Sequence, residues 1–248
     1  MSGLFAIYRR EMLTYWVTPL AWVLLFVFLL LQGLSFGLVV SHFASMAQLS
    51  LDSGPVQAYF GESLLLLVSL LLLCAALPMR SFAEERRSGS IEALLTAPVS
   101  SAGVVLGKYL ATLSTYGLMW VPTLLYVVIL RDTGQVDWQV VASSYLGVLG
   151  LGAGFLAIGT LMSSLTQSQL IAFMLTATSL FGLFILGIGS YVFDPGLLHS
   201  ICAHVSVQDQ LQELSKGVVD LRRIVLDLTL IVLPLFLTVR IVESWRWD

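Results

Sequence analysis

Charge is scarce in this chain. Only 11% of its 248 residues are Asp, Glu, Lys or Arg, against about 25% in an average soluble domain. Too few charged side chains exist to cover the surface of a water-soluble fold, so that class is set aside. Runs of Lys or Arg are absent too, and the net charge is only -3, which removes nucleic acid and a polybasic lipid-binding tail from consideration. Cysteine is limited to Cys74 and Cys202. No Cys-x-x-Cys spacing offers zinc or redox chemistry, and two unpaired thiols are expected. Histidine is limited to His42, His199 and His204, at the ends of apolar runs or between them. That placement leaves no base inside a span to activate Ser190 of Gly187-Ile-Gly-Ser190, which argues against an intramembrane serine protease. It also leaves no convincing metal cluster, so neither a catalytic residue nor a metal site is expected.

Apolar residues dominate what is present, at 58% of the chain with a mean hydropathy of +0.92. Six stretches stand out: Pro19 to Val40, Leu64 to Met79, Val104 to Leu130, Val140 to Met162, Leu170 to Val192 and Ile224 to Val242. Each is near the roughly 17 to 25 residues that cross a bilayer. The expected fold is an all-α membrane protein, one domain over the whole chain, with spans at about 19–41, 62–82, 101–130, 140–163, 168–192 and 221–242. The first run is too long for the core of a signal peptide and is expected to stay attached. Pro122 and Pro234 predict kinks in the third and sixth spans. Glycines at 33 and 37, and at 150 and 154, predict close helix contacts, within one bundle by default and across a dimer as the alternative.

Orientation follows from Lys and Arg, which resist translocation. One face would hold Arg9, Arg10, Arg80, Arg86, Arg87, Lys108, Arg240 and Arg246; the other would hold Arg131, Lys216, Arg222 and Arg223. The excess puts both termini, and the segment between the second and third spans, in the cytoplasm. Residues 1–18 are expected to form an amphipathic interfacial helix, with Leu4, Phe5, Tyr8, Met12, Tyr15 and Trp16 at helical spacing; a simple positive-inside anchor is the alternative. The outer segment 193–220 opens on Asp194-Pro195-Gly196 and carries Val207, Leu211 and Leu214 at helical spacing up to a C-cap at Gly217. It either packs over the mouth of the bundle or merely connects two spans, and connection is the commoner fate of loops.

Asp227 lies about one turn into the last apolar run, with Arg223 four residues before it. That spacing suggests an ion pair near the outer surface rather than a proton relay, since no second acid is seen deep in any span. A proton-coupled secondary transporter is the rival functional class. It would need buried titratable groups near mid-membrane and often shows internal repeats, and neither is evident.

The informative stretch is Arg80-Ser-Phe-Ala-Glu-Glu-Arg-Arg-Ser-Gly-Ser-Ile-Glu-Ala-Leu-Leu-Thr-Ala-Pro-Val-Ser100. Its second half reads as a short helix: Ser88 or Ser90 caps the start, Ile91, Leu94 and Leu95 share one face, Glu92 faces away, and Pro98 ends it. Ser100 or Ser101 can then cap the third span. The charges Glu84, Glu85, Arg86 and Arg87 would fix the helix angle or meet a partner's charges.

From Phe82 to Ser100, followed by Val105-Leu-Gly-Lys-Tyr109, the chain resembles the signature of the type-2 ABC export permeases. Within them it looks most like the gliding-motility-associated branch, on Ser215-Lys-Gly-Val-Val-Asp-Leu-Arg222 and Leu237-Thr-Val-Arg-Ile-Val-Glu-Ser-Trp-Arg-Trp247. Ser90 stands where the family usually has Thr, which preserves a hydroxyl. The resemblance implies a coupling helix at 84–98 that seats in a groove of an ATPase subunit, with Glu84, Glu85, Arg86, Arg87, Gly89, Ser90, Ile91, Glu92, Leu94, Leu95 and Pro98 as the coupling residues. It further implies two ABC ATPase subunits, a second permease copy or a related membrane subunit, an accessory protein on the outer face, and a bacterial inner membrane.

No phosphate-cradling Gly-x-x-x-x-Gly-Lys-Ser/Thr loop exists here. The nearest stretch, Ser101-Ala-Gly-Val-Val-Leu-Gly-Lys-Tyr109, has Gly103 one place late and Tyr109 where a magnesium-binding hydroxyl belongs. ATP and Mg are therefore expected on the partner, this chain is expected to bind no cofactor, and Lys108 reads as an anchor at the membrane end.

Overall fold

Runs of Leu, Val, Ile and Phe longer than a bilayer is thick leave the backbone one way to satisfy its polar groups, the α-helix. The computed structural model describes residues 2–45, 54–91, 99–133, 137–194 and 196–245. Among them are helices and no strands. Six helices are long and apolar enough to cross a membrane: Pro19–Ala44, Leu64–Ser88, Ser101–Arg131, Trp138–Leu165, Gln169–Val192 and Leu221–Ser244. They run up and down, so the N-terminal helix Ser2–Val17, the link from the second to the third span, and the end of the sixth span share one end of the bundle. That end is called the near end below, and the opposite one the far end.

Burial separates a centre from a periphery. The second and fourth spans are 61% and 72% buried within the chain, whereas the first, fifth and sixth are 17%, 22% and 17% buried. Small residues on the fourth span admit its neighbours. A Cβ on Gly152 would lie 2.3 Å from the Tyr116 ring of the third span, and one on Gly159 would lie 2.2 Å from Pro78 of the second. Gly150 and Gly154 face Asp227 and Leu230 of the sixth span, so this spaced pair serves packing inside the bundle. Among the described residues, Gly33 meets only Tyr126 and Gly37 has nothing within 4 Å.

Proline acts differently in the third and sixth spans. At Pro122 the third span passes through a 3₁₀ turn, Val121–Thr123, before resuming as Leu124–Thr133. Pro234 sits inside an unbroken helix, Leu221–Ser244.

The N-terminal helix lies against the third span. Its packed positions are Leu4, Ile7, Tyr8, Glu11, Met12 and Tyr15: Ile7 meets Gly107, Tyr8 OH donates to Ser114 Oγ at 3.1 Å, and Thr115 Oγ1 donates to Met12 Sδ at 3.4 Å. Phe5, part of the expected apolar stripe, is exposed instead. The packed face includes a glutamate because its partner is a lysine.

At the far end, the turn Pro55–Gln57 and Ala58–Glu62 buries Tyr59 and Phe60. Tyr59 OH donates to Gln32 Oε1 at 2.9 Å and Gln32 Nε2 donates to Ser69 Oγ at 3.1 Å, which ties the first span to the second. The segment 193–220, expected on the outer face, is more than a connector. Its helices Leu197–Val205 and Val207–Ser215 pack on the bundle, with Gly147 facing Leu214, Gly61 facing Ser215, and Ser143 Oγ donating to the Leu214 carbonyl at 2.7 Å. The second helix ends as its sequence predicts. Gly217 has φ +79°, its N–H bonds Leu214 O at 3.0 Å, and Val218 N–H bonds Glu213 O at 3.1 Å, the paired bonds of a left-handed glycine cap.

Candidate functional site

Pro78 creates the site. It cannot supply a helical N–H, so the second span leaves its helix Leu64–Ala76 through a 3₁₀ turn, Pro78–Arg80, and restarts as Ala83–Ser88. The elbow is capped from outside: Ser163 Oγ, at the end of the fourth span, accepts from Phe82 N–H at 3.1 Å and Ala83 N–H at 3.2 Å, and donates to Met79 O at 3.1 Å. Glu84 and Glu85 in the first turn and Arg86 and Arg87 in the last complement the helix dipole. The helix stops at Gly89, whose φ of +71° suits glycine. The expected segment 84–98 is thus not one continuous helix. Ile91 is helical and half-buried against the core, while Glu92, Leu94, Leu95 and Pro98 lie outside the described residues. The chain re-enters the membrane where Ser100 caps the third span, its Oγ accepting from Gly103 N–H at 3.1 Å.

Each expected coupling residue that is described has a distinct place. Arg86 Nη1 donates to the Ser164 carbonyl at 3.0 Å, and its guanidinium lies 4.8 Å from the Trp245 ring centre; Phe82 packs edge-on against the same ring. Arg87 is exposed, and Ser90 Oγ is 2.9 Å from Ser88 Oγ. Glu85 turns inward. Its Oε1 accepts from Arg10 Nη2 and forms an ion pair with Lys108 Nζ at 3.0 Å. Lys108 Nζ also donates to Glu11 Oε1 at 2.8 Å and to Ser81 O at 2.7 Å, and Arg10 Nη2 reaches the same Glu11 oxygen at 2.9 Å.

Lys108 is therefore no anchor reaching out to the interface. It is 1% exposed, because two carboxylates and a carbonyl inside the protein replace the water an anchor would seek. Sequence reading missed Lys108, Glu11, Arg10 and Ser163 as members of this site. The available signal was a lone lysine in the third apolar run and a lone acid on the N-terminal helix. Burial alone would push the Glu11 carboxyl up, but the charges of Lys108 and Arg10 hold it below the usual carboxylate range. A cavity of about 190 Å³ opens beside the cluster, lined in part by Arg80, Ser81, Glu84 and Ser90. Two buried atoms, Ser81 Oγ and Glu85 Oε2, have no hydrogen-bond partner among the described residues.

Chemically, this arrangement holds backbone elements together. Ser190 donates to the Gly187 carbonyl of its own helix at 2.8 Å. What the geometry can do is mechanical. The link between two membrane helices is bonded to the N-terminal helix, the third span, the end of the fourth and the end of the sixth.

A family model described as ABC-2 family transporter protein matches residues 53–243, which is most of the chain and includes the whole elbow. The protein belongs to this family. Among curated proteins none matches it. As an ABC-2 family member it is a multi-pass membrane subunit of an ABC transporter, a class that works with an ABC ATPase.

The second expected site, Arg223 with Asp227, is rearranged at the far end of this ABC-2 subunit. Arg223 forms a two-pronged pair with Glu213 of the outer helix, Nε to Oε2 at 2.7 Å and Nη2 to Oε1 at 2.9 Å. Its Nη1 donates to the carbonyls of Ser206 at 3.2 Å and Ala203 at 3.4 Å. Asp227 Oδ2 instead accepts from Gln210 Nε2 at 2.8 Å, and its Oδ1 has no partner among the described residues. A fork-shaped guanidinium meets a carboxylate best with two parallel bonds, and the packed outer helix supplies one where the i,i+4 neighbour does not.

Proposed function

We propose that this chain is the membrane half of an ATP-driven exporter in the cytoplasmic membrane of a bacterium, with both termini and the elbow on the cytoplasmic side. A second permease copy or a related subunit would complete the membrane pathway, and two ATPase subunits would bind ATP and Mg. The segment 84–98 takes the push of the ATPase. ATP binding closes the ATPase pair and shifts this segment, and the second and third spans, continuous with its ends, tilt with it. The free energy available is the ATPase's differential affinity for the two membrane states.

One observation carries this reading. The Ala83–Ser88 helix is capped by Ser163, held by Arg86 on Ser164 and Trp245, and pinned through Glu85 to Lys108, so force applied there reaches several spans instead of being lost in a loose loop. The likeness of 215–222 and 237–247 to the gliding-motility branch belongs to the same proposal, and it admits a machine that transmits force to an outer partner as well as one that moves cargo. The test is to express the gene with its chromosomal neighbours, purify the chain in mild detergent through a C-terminal tag, and identify what accompanies it. An ABC ATPase is expected; a chain recovered alone under conditions that preserve its fold would count against the proposal.

A further inference from the structure

The Lys108 ammonium donates to Glu11 Oε1 on the N-terminal helix and to Ser81 O in the elbow turn, and it forms an ion pair at 3.0 Å with Glu85 Oε1 on the helix that follows. Arg10 bridges the same two carboxylate oxygens from the outer side. The result is a closed ring of alternating charge in which each cation touches both acids. Lys108 is 1% exposed, so separating the N-terminal helix from the elbow would take from a buried ammonium either Glu11 or its Glu85 and Ser81 partners, with no water to replace them. Two further contacts run across the same seam. Tyr15 OH donates to Leu77 O at 2.9 Å and lies 3.1 Å from Thr112 Oγ1, and Arg80 Nη1 donates to Thr18 Oγ1 at 3.1 Å. On the opposite side, the elbow meets the fourth and sixth spans through hydroxyl and carbonyl hydrogen bonds and the Trp245 ring. The described ion pair at the near end of the sixth span, Arg240 with Glu243, lies within that helix and does not reach the elbow.

We infer that Lys108 is a positioning residue that joins the N-terminal helix and the elbow into one body, so that the N-terminal helix moves with the coupling segment when ATP binds. This rests on the functional reading above and deepens it. Glu85 then acts inward, on Lys108 and Arg10, and its loss would uncouple the transporter without removing a contact to the ATPase.

The experiment uses the full chain with its ATPase in nanodiscs and electron-spin distance measurements, nucleotide-free and ATP-bound. Labels go on the exposed positions of Phe5→Cys, Arg87→Cys and Lys216→Cys; the native Cys74 and Cys202 are buried and should not react. The Phe5 to Arg87 distance should stay fixed while both shift together relative to Lys216. The triple variant Glu11→Gln, Glu85→Gln, Lys108→Met strands no buried charge, so it should fold and still bind the ATPase. In it, the Phe5 to Arg87 distribution should broaden and ATP hydrolysis by the complex should fall about tenfold, within the range of ordinary coupling energies. Movement of Arg87 with Phe5 left behind in the unaltered protein, or a triple variant that hydrolyses ATP normally, would overturn the inference and spare the functional reading. No ATP-dependent movement of Arg87 at all would overturn both.

Discussion

Burial alone would push the Glu11 carboxyl up, but the neighbouring charges of Lys108 and Arg10 keep it ionised. Lys108 keeps Glu85 and the Ser81 carbonyl if Glu11 is lost, so Glu11→Gln should destabilise the folded chain by about 2 kcal/mol at neutral pH, less than the full penalty for orphaning a buried charge. The sign of the pH effect follows from the direction of the shift. Glu11 ionises more readily folded than unfolded, so its contribution is fully present above the ordinary carboxylate pKa and disappears as pH falls through the lower folded value. Thermal unfolding in detergent should show the unaltered chain ahead of Glu11→Gln at pH 7 and the two converging below about pH 4. A gap that persists unchanged into acid would mean that Glu11 works through packing and not through charge.

The outer helices are held by a cation, and that makes their attachment testable as a unit. Arg223→Ala removes the pair with Glu213 and leaves the Ser206 and Ala203 carbonyls without their donor. Glu213 is 40% exposed, so water recovers part of the loss; a cost of about 2 kcal/mol is expected. Hydrogen exchange across 197–217 should accelerate more than in the spans. Asp227→Asn should change stability by no more than about 0.5 kcal/mol, because Gln210 can still donate to the amide oxygen. Equal losses from both variants would restore the Arg223 to Asp227 pair that i,i+4 spacing suggested. The contrast shows what is legible in a sequence of this kind. Spans, the Ser100 cap and the Gly217 cap depend on neighbours within a few residues, and their signals are local. The near-end cluster joins residues 97 apart in Glu11 and Lys108 and 75 apart in Arg10 and Glu85, and Glu213 reaches Arg223 only because the helix carrying it folds back onto the bundle. Local periodicity carries no information about such pairs, so Lys108 read as an anchor and Glu85 as one of four charges that fix the helix angle or meet a partner.

The whole molecule divides into a packed centre, the second to fourth spans, and three peripheral spans with apolar faces turned outward. Its near end gathers the N-terminal helix, the elbow, the end of the fourth span and Trp245 into one bonded assembly; its far end is covered by the outer helices. In a membrane subunit of an ABC transporter, such an architecture lets a displacement at one end act on the whole bundle, since packed helices shift as discrete bodies and do not deform continuously. The central claim is that segment 84–98 links this bundle to ATP hydrolysis elsewhere. The measurement that reaches it most directly is the ATP hydrolysis rate of the purified complex, with residues 84–98 in their natural order and in a scrambled order of the same composition. The account predicts that the scrambled chain still folds and loses most of the hydrolysis seen with the natural one. Undiminished hydrolysis with the scrambled segment, in a complex that still assembles, would contradict it.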